Sequence, residues 1–124
     1  MNLHQGAAMK ITHLDQCEKT KPQMEGAKNI WRQVPLSSAD GAPNYSFRVF
    51  TLEPGGHTPY HHHPFEHMNY IIEGEGAIRT ESGEEREIKA GDFVLMHPDE
   101  THQYRNRSAD RNFVMICAVP KDYE

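Results

Sequence analysis

From Tyr45 onward the chain alternates short apolar runs with clusters of turn-forming residues. Residues 45–52 (YSFRVFTL) are a strand candidate, stopped by Glu53-Pro54-Gly55-Gly56. Residues 57–63 and 67–72 follow, with Glu73-Gly74 as a turn. Residues 76–80 and 84–89 flank Ser82-Gly83 and predict a hairpin with polar outer faces. Ala90-Gly91 opens a further turn, 92–96 is apolar, and His97-Pro98-Asp99-Glu100 turns again. Residues 101–106 and 112–119 close the series before Pro120. About eight short strands at regular spacing, with no helical period after Tyr45, predict an all-β sandwich or barrel.

The residues before Tyr45 have a different texture. Residues 1–28 are polar and weakly patterned, and Met9 is a possible second start that would leave the first eight residues as a dispensable tail. Residues 11–18 fit one helical turn or an edge strand, and the sequence leaves both open. Residues 30–34 (IWRQV) predict a short strand ending before Pro35, with Trp31 as a packing or subunit-interface residue. Residues 37–44 form a loop by their Gly, Pro, Asp and Asn content. The expected organisation is an arm at 1–44 packing on the barrel or a partner subunit, a barrel at 45–120 and a tail at 121–124.

Composition narrows the function classes. The chain has 124 residues, 36% of them hydrophobic, and a net charge of −5 with histidines neutral, which fits one soluble, mildly acidic domain. No basic block is present, so nucleic acid is not an expected partner. The longest apolar runs, such as 113–119, are too short to span a bilayer, so no membrane partner is expected. The first ten residues lack an apolar signal core, which makes a cytoplasmic location the default expectation. Cys17 and Cys117 are too few and too far apart for a disulfide framework.

Histidine is where the composition departs from the ordinary, with nine in the chain. Successive side chains of a strand alternate faces, so His61 and His63 share one while His62 points away. A bend at Pro64 starts a second strand, and His67 near its beginning can swing back to complete a three-nitrogen set for one metal ion.

The segment from Gly55 to Gly74 resembles the first cupin motif, G-x5-H-x-H-x3-E-x6-G, in Gly55, His61, His63 and Gly74, with His67 where the family usually carries Glu. Residues 91–106 resemble the second, G-x5-P-x-G-x2-H-x3-N, in Gly91, His102 and Asn106. There His97 stands at the usual Pro and Asp99 at the usual Gly. The resemblance implies a double-stranded β-helix, or jelly-roll, barrel with metal ligands His61, His63, His67 and His102 inside its mouth. The stretch His61 to His67 and the later Pro120-Lys121 are most similar to the small, single-domain, all-histidine cupins, which implies a homodimer and a divalent ion. Manganese is the first expectation, with iron, zinc, nickel and copper open, because imidazole suits several of them.

Four neutral imidazoles leave the full dipositive charge on an ion, which favours anionic ligands, so the expected partner is a small and possibly anionic molecule. If His67 points inward then Asn69 and Ile71 do too, and His102 brings Tyr104 and Asn106 with it. Met115 and Cys117 supply a soft wall, and Arg48 faces inward if Phe50 and Leu52 do. The pocket expected from this is Arg48, Phe50, Asn69, Ile71, Tyr104, Met115 and Cys117, with Tyr104 and Arg48 as catalytic candidates. Arg48 is the candidate anchor for a substrate carboxylate, and Glu66 a candidate support for a ligand histidine. Three functions fit: a dioxygenase-like enzyme on a small organic molecule as the leading reading, a non-redox isomerase or lyase, and a sensor without catalysis. Protons compete for the same nitrogens, so metal affinity is expected to fall below about pH 5 to 6.

Overall fold

The computed structural model describes residues 8–123. Eight strands dominate it: β1 (Lys28–Leu36), β2 (Tyr45–His57), β3 (His67–Glu73), β4 (Glu75–Thr80), β5 (Glu85–Lys89), β6 (Phe93–Met96), β7 (His102–Arg105) and β8 (Phe113–Pro120). They join in the order β5-β4-β7-β2-β8-β3-β6, with β1 on the other edge of β2, and every pairing is antiparallel. The sheet curls into the jelly-roll barrel of the cupin type, and β8 shows why. Its Phe113, Met115, Cys117 and Val119 are buried at 0, 3, 3 and 0% exposure, on the alternate positions a strand directs to one face. Phe50, Leu52, Ile71, Ile78, Ile88 and Met96 meet them from the other strands. Each such buried side chain contributes about 1.5–3 kcal/mol.

Two predicted boundaries moved for physical reasons. β2 does not stop at Leu52 but runs on through Glu53-Pro54-Gly55-Gly56 to His57. Its first half pairs with β8, and its last residue pairs with Arg105 of β7, so this segment carries the chain from one half of the barrel to the other. Of residues 57–63, expected as a strand, His57 is the end of β2, and residues 58–63 form a loop in which His61 alone makes a bridge, to His102. Pro59 and Pro64 lack the amide hydrogens a longer ladder needs. The other predicted strands agree with those observed to within a few residues. β1 runs through Pro35 to Leu36, two residues beyond the predicted end.

The described part of the arm is ordered against β1. Leu14–Gln16 is one turn of 3-10 helix, one of the two alternatives for that segment. Gln33 holds it by donating from Nε2 to the carbonyls of Leu14 (2.9 Å) and Cys17 (3.1 Å). Trp31 is half-buried, with the ammonium groups of Lys21 and Lys19 at 4.8 and 5.9 Å from its ring. The expectation of a dispensable tail before Met9 falls almost wholly outside the described residues. No helix among them is long and apolar enough to cross a membrane.

Gly74, between β3 and β4, has φ +86°, and an added Cβ would lie deep inside van der Waals contact with the Asn112 carbonyl oxygen. Gly74→Ala is therefore expected to destabilise the fold by at least about 2 kcal/mol through both effects. A urea denaturation midpoint equal to wild type would contradict that reading.

Candidate metal centre

Four histidines converge at one end of the barrel. His67 opens β3, His102 opens β7, and His61 and His63 come from the loop between β2 and β3. The loop is stitched to β7 by a reciprocal backbone pair, His61 N to His102 O at 3.1 Å and His102 N to His61 O at 2.9 Å. The backbone N of Asp99 also donates to His63 O at 2.7 Å. Asp99 takes a left-handed φ of 64° there, a conformation that Asp tolerates better than most residues, which explains how it can stand at a position where glycine is usual.

Hydrogen bonds set the tautomers. His63 donates from Nδ1 to the Phe65 carbonyl at 2.9 Å, His102 from Nδ1 to the Glu100 carbonyl at 2.7 Å, and His67 from Nδ1 to Oδ1 of Asn69 at 2.9 Å. With Nδ1 protonated in each, the Nε2 lone pairs are free to face inward. The ring centroids of His63 lie 5.3, 5.1 and 5.0 Å from those of His61, His67 and His102. Donor nitrogens of His61, His63 and His102 lie within 4.8 Å of one another and could hold a metal ion. Nε2 of His67 lies 3.4 Å from Nε2 of His102, so two lone pairs confront each other across a gap that a cation would relieve. A set of imidazole nitrogens suits a borderline divalent transition ion, and the donor chemistry therefore fits one.

Burial keeps these donors neutral. It lowers His67 to about 3 and His102 to about 4, with the neighbouring imidazoles adding to the effect. His61 and His63 are lowered as well, first by burial. The charge of Arg48 adds to the lowering at His63 and His67.

A cavity of about 110 Å³ opens beside the imidazoles. Arg48, Phe50, Asn69, Tyr104, Met115 and Cys117 line it, together with all four histidines. Ile71 does not reach it; fully buried one residue pair deeper on β3, it belongs to the core. Asn106 is also buried away from it, donating to the carbonyls of Leu52 and Arg111. Asn69 is the hub of the polar wall, because its Oδ1 accepts both the His67 ring proton and the Tyr104 hydroxyl, the latter at 2.5 Å. Its amide donates to the Ile116 carbonyl at 3.3 Å, which fixes which end faces the histidine. Burial pushes the Tyr104 phenol up, so its proton stays on the oxygen.

Glu66, expected to support a ligand, is exposed, and the supports are two backbone carbonyls and Asn69 instead. His62 lies outside the cluster, 3.8 Å from exposed Asp99, and His97 is exposed. Met24, Thr58, Pro59 and Phe65 line the cavity too. Phe65 had a signal, its place between two ligand candidates, whereas Met24 in the weakly patterned arm had none. The Phe65 ring stacks on His63 at 3.9 Å and 7°, and Tyr123 stacks on its other face at 4.0 Å.

Comparison with known proteins agrees with this architecture. The chain is 30% identical over 111 residues to an L-ectoine synthase of Halomonas elongata, covering 88% of this chain and 78% of that one. It is 32% identical over 76 residues to the dimethylsulfoniopropionate lyase DddQ of Ruegeria pomeroyi, covering 61% of this chain and 37% of the lyase. The fold matches the polyketide cyclase RemF of Streptomyces resistomycificus with a TM-score of 0.86 at 24% identity, covering 91% of this chain and 80% of RemF. A cupin domain is matched over residues 48–119, more than half of the sequence, and the chain belongs to the cupin family.

Proposed function

We propose that this protein is a metal-dependent, non-redox enzyme of the lyase or cyclase kind, acting on a small organic molecule. The observation that carries the reading is the convergence of the histidine donors with the Asn69–Tyr104 pair in one small cavity. The curated relatives are a synthase and a lyase, which favours the non-redox reading over the oxygenase reading. His61, His63, His67 and His102 are proposed to hold one divalent ion, which when bound would polarise a substrate oxygen as a Lewis acid.

The chain's own residues supply the rest. Asn69 couples ligand to acid: the oxygen that orients the His67 ring also holds the Tyr104 hydroxyl beside the same cavity. Tyr104 presents its O–H as a proton donor to a substrate atom developing negative charge. Phe50 and Met115 keep water from the reacting atoms and leave room for a carbon skeleton. A second copy of the chain is proposed to cover the outer face of β3 and β6. Met68 of β3 and Phe93 and Leu95 of β6 are 53, 81 and 53% exposed there, and β6 is an edge strand that pairs only with β3 among the described residues.

Metal analysis should give one divalent ion per chain, and His102→Ala should weaken binding by at least about a hundredfold, since losing merely the hydrogen-bond support of a ligand costs about ten- to a hundredfold. A folded wild type indifferent to manganese, iron, copper and zinc would overturn the metal assignment. Acid should act on the metal-free fold in a defined direction. Unfolded histidine takes its proton near pH 6.5, whereas His67 and His102 take theirs at about 3 and about 4. Stability is therefore present above pH 6.5 and falls towards pH 4, by up to about 1 kcal/mol per pH unit for each group. A melting temperature constant from pH 7 to 4.5 would contradict it.

Tyr104→Phe should lower turnover by about a hundredfold while metal affinity stays unchanged. Turnover of a panel of carbonyl and carboxylate compounds, dimethylsulfoniopropionate among them, should be equal in air and under nitrogen; oxygen uptake matching product would refute the non-redox reading. Sedimentation should show a dimer at micromolar concentration and a shift to monomer in Phe93→Glu, and a wild-type monomer would remove the proposed interface.

A further inference from the structure

The cavity carries a full positive charge that no group among the described residues answers. Arg48 lines it, with Nη2 donating to Sγ of Cys117 at 3.2 Å and the guanidinium 5.1 Å from the centroid of the Phe50 ring. Its Nε is fully buried and makes no hydrogen bond. No ion pair to Arg48 is present among the described residues, and no Asp or Glu lines the cavity. A guanidinium in such surroundings is ordinarily paired, because an unanswered buried donor costs about 1–3 kcal/mol and a charged one more.

We infer that Arg48 recognises the carboxylate of a small organic anion, so that the substrate enters with its carboxylate on the guanidinium and its reacting end towards the imidazoles. This rests on the metal-dependent reading above and names the substrate class for the same site. The guanidinium lines the cavity, and its Nη–H groups are the donors a carboxylate there would take with charge-assisted hydrogen bonds. Phe50, Met115 and Met24 offer the carbon chain an apolar wall. An apolar cavity of about 150 Å³ accepts benzene. At about 110 Å³ the enclosed space therefore takes a carboxylate and two or three carbons, with any remainder passing exposed His61 at the mouth. With Arg48 at one end, the proposed divalent ion at the other and no acid in the wall among the described residues, both poles of the site select for negative charge.

The same charge predicts two opposite effects from one substitution. Arg48→Met keeps an apolar stem against Phe50 and Cys117 but removes the cation. It should loosen a carboxylate and, by relieving like-charge repulsion, tighten the metal. The test is calorimetric titration of the zinc-loaded full chain with propionate, propionamide and inorganic phosphate at constant ionic strength, with zinc affinity measured by chelator competition. Wild type should bind propionate about tenfold more tightly than propionamide or phosphate. In Arg48→Met, propionate affinity should fall about tenfold and zinc affinity should rise several-fold. Equal propionate affinity in the two proteins would overturn the assignment, as would phosphate binding more tightly than propionate. Zinc affinity falling together with propionate affinity would reduce Arg48 to a packing role and overturn it too. A wild type that takes no zinc would refute the metal reading instead, and propionate titrated into the metal-free pair would still decide the role of Arg48.

Discussion

Two backbone hydrogen bonds hold the site together, the reciprocal pair between His61 and His102. They join a loop to a strand some forty residues later, and each of the two carries a histidine of the cluster. The bridge fixes where the two rings start from, and the Nδ1 protons then fix where they point. Three of the four imidazoles give that proton to an acceptor on their own side of the site, leaving Nε2 to face the centre. A cluster of lone pairs is unfavourable by itself, since like dipoles face each other at 3.4 Å between His67 and His102. The barrel's packing holds them there, and a cation or a proton would relieve the opposition. Burial disfavours the proton.

Neutrality is the second constraint that organises the cavity. No carboxylate reaches it among the described residues, and the supports of the histidines there are carbonyl oxygens rather than acids. A carboxylate behind the imidazoles would add negative charge to the donors, whereas carbonyls orient the rings without doing so. The single charged group in the wall among the described residues is Arg48, whose influence has the same sign as that of a metal ion. With a divalent ion held by the imidazoles, as proposed, the site would be polarised towards anions from two sides.

Much of this was legible in the sequence because strands impose a period of two. That period predicts Phe50, Asn69, Tyr104, Met115 and Cys117 on the inner face, and all five line the cavity. It failed where position along the strand mattered more than face. Ile71 and Asn106 share a side with His67 and His102 but lie too far along to reach the cavity. It failed also in 53–63. Glycine and proline there looked like an end to β2, yet Gly55 at φ +77° lets the strand bend and continue into the other half of the barrel.

The sequence by itself determined the all-β class, the two histidine motifs and the alternation that turns their neighbours inward, because these depend on local spacing. Tertiary structure decided which groups support the imidazoles, since the Phe65 and Glu100 carbonyls are acceptors any residue could have offered. It decided that Met24 of the arm lines the cavity and that Tyr123 after β8 stacks on Phe65, which lines it too. It decided, finally, that Arg48 stands without a carboxylate beside it among the described residues. Whether a charge is answered depends on every element packed around it, and no spacing along one strand contains that information.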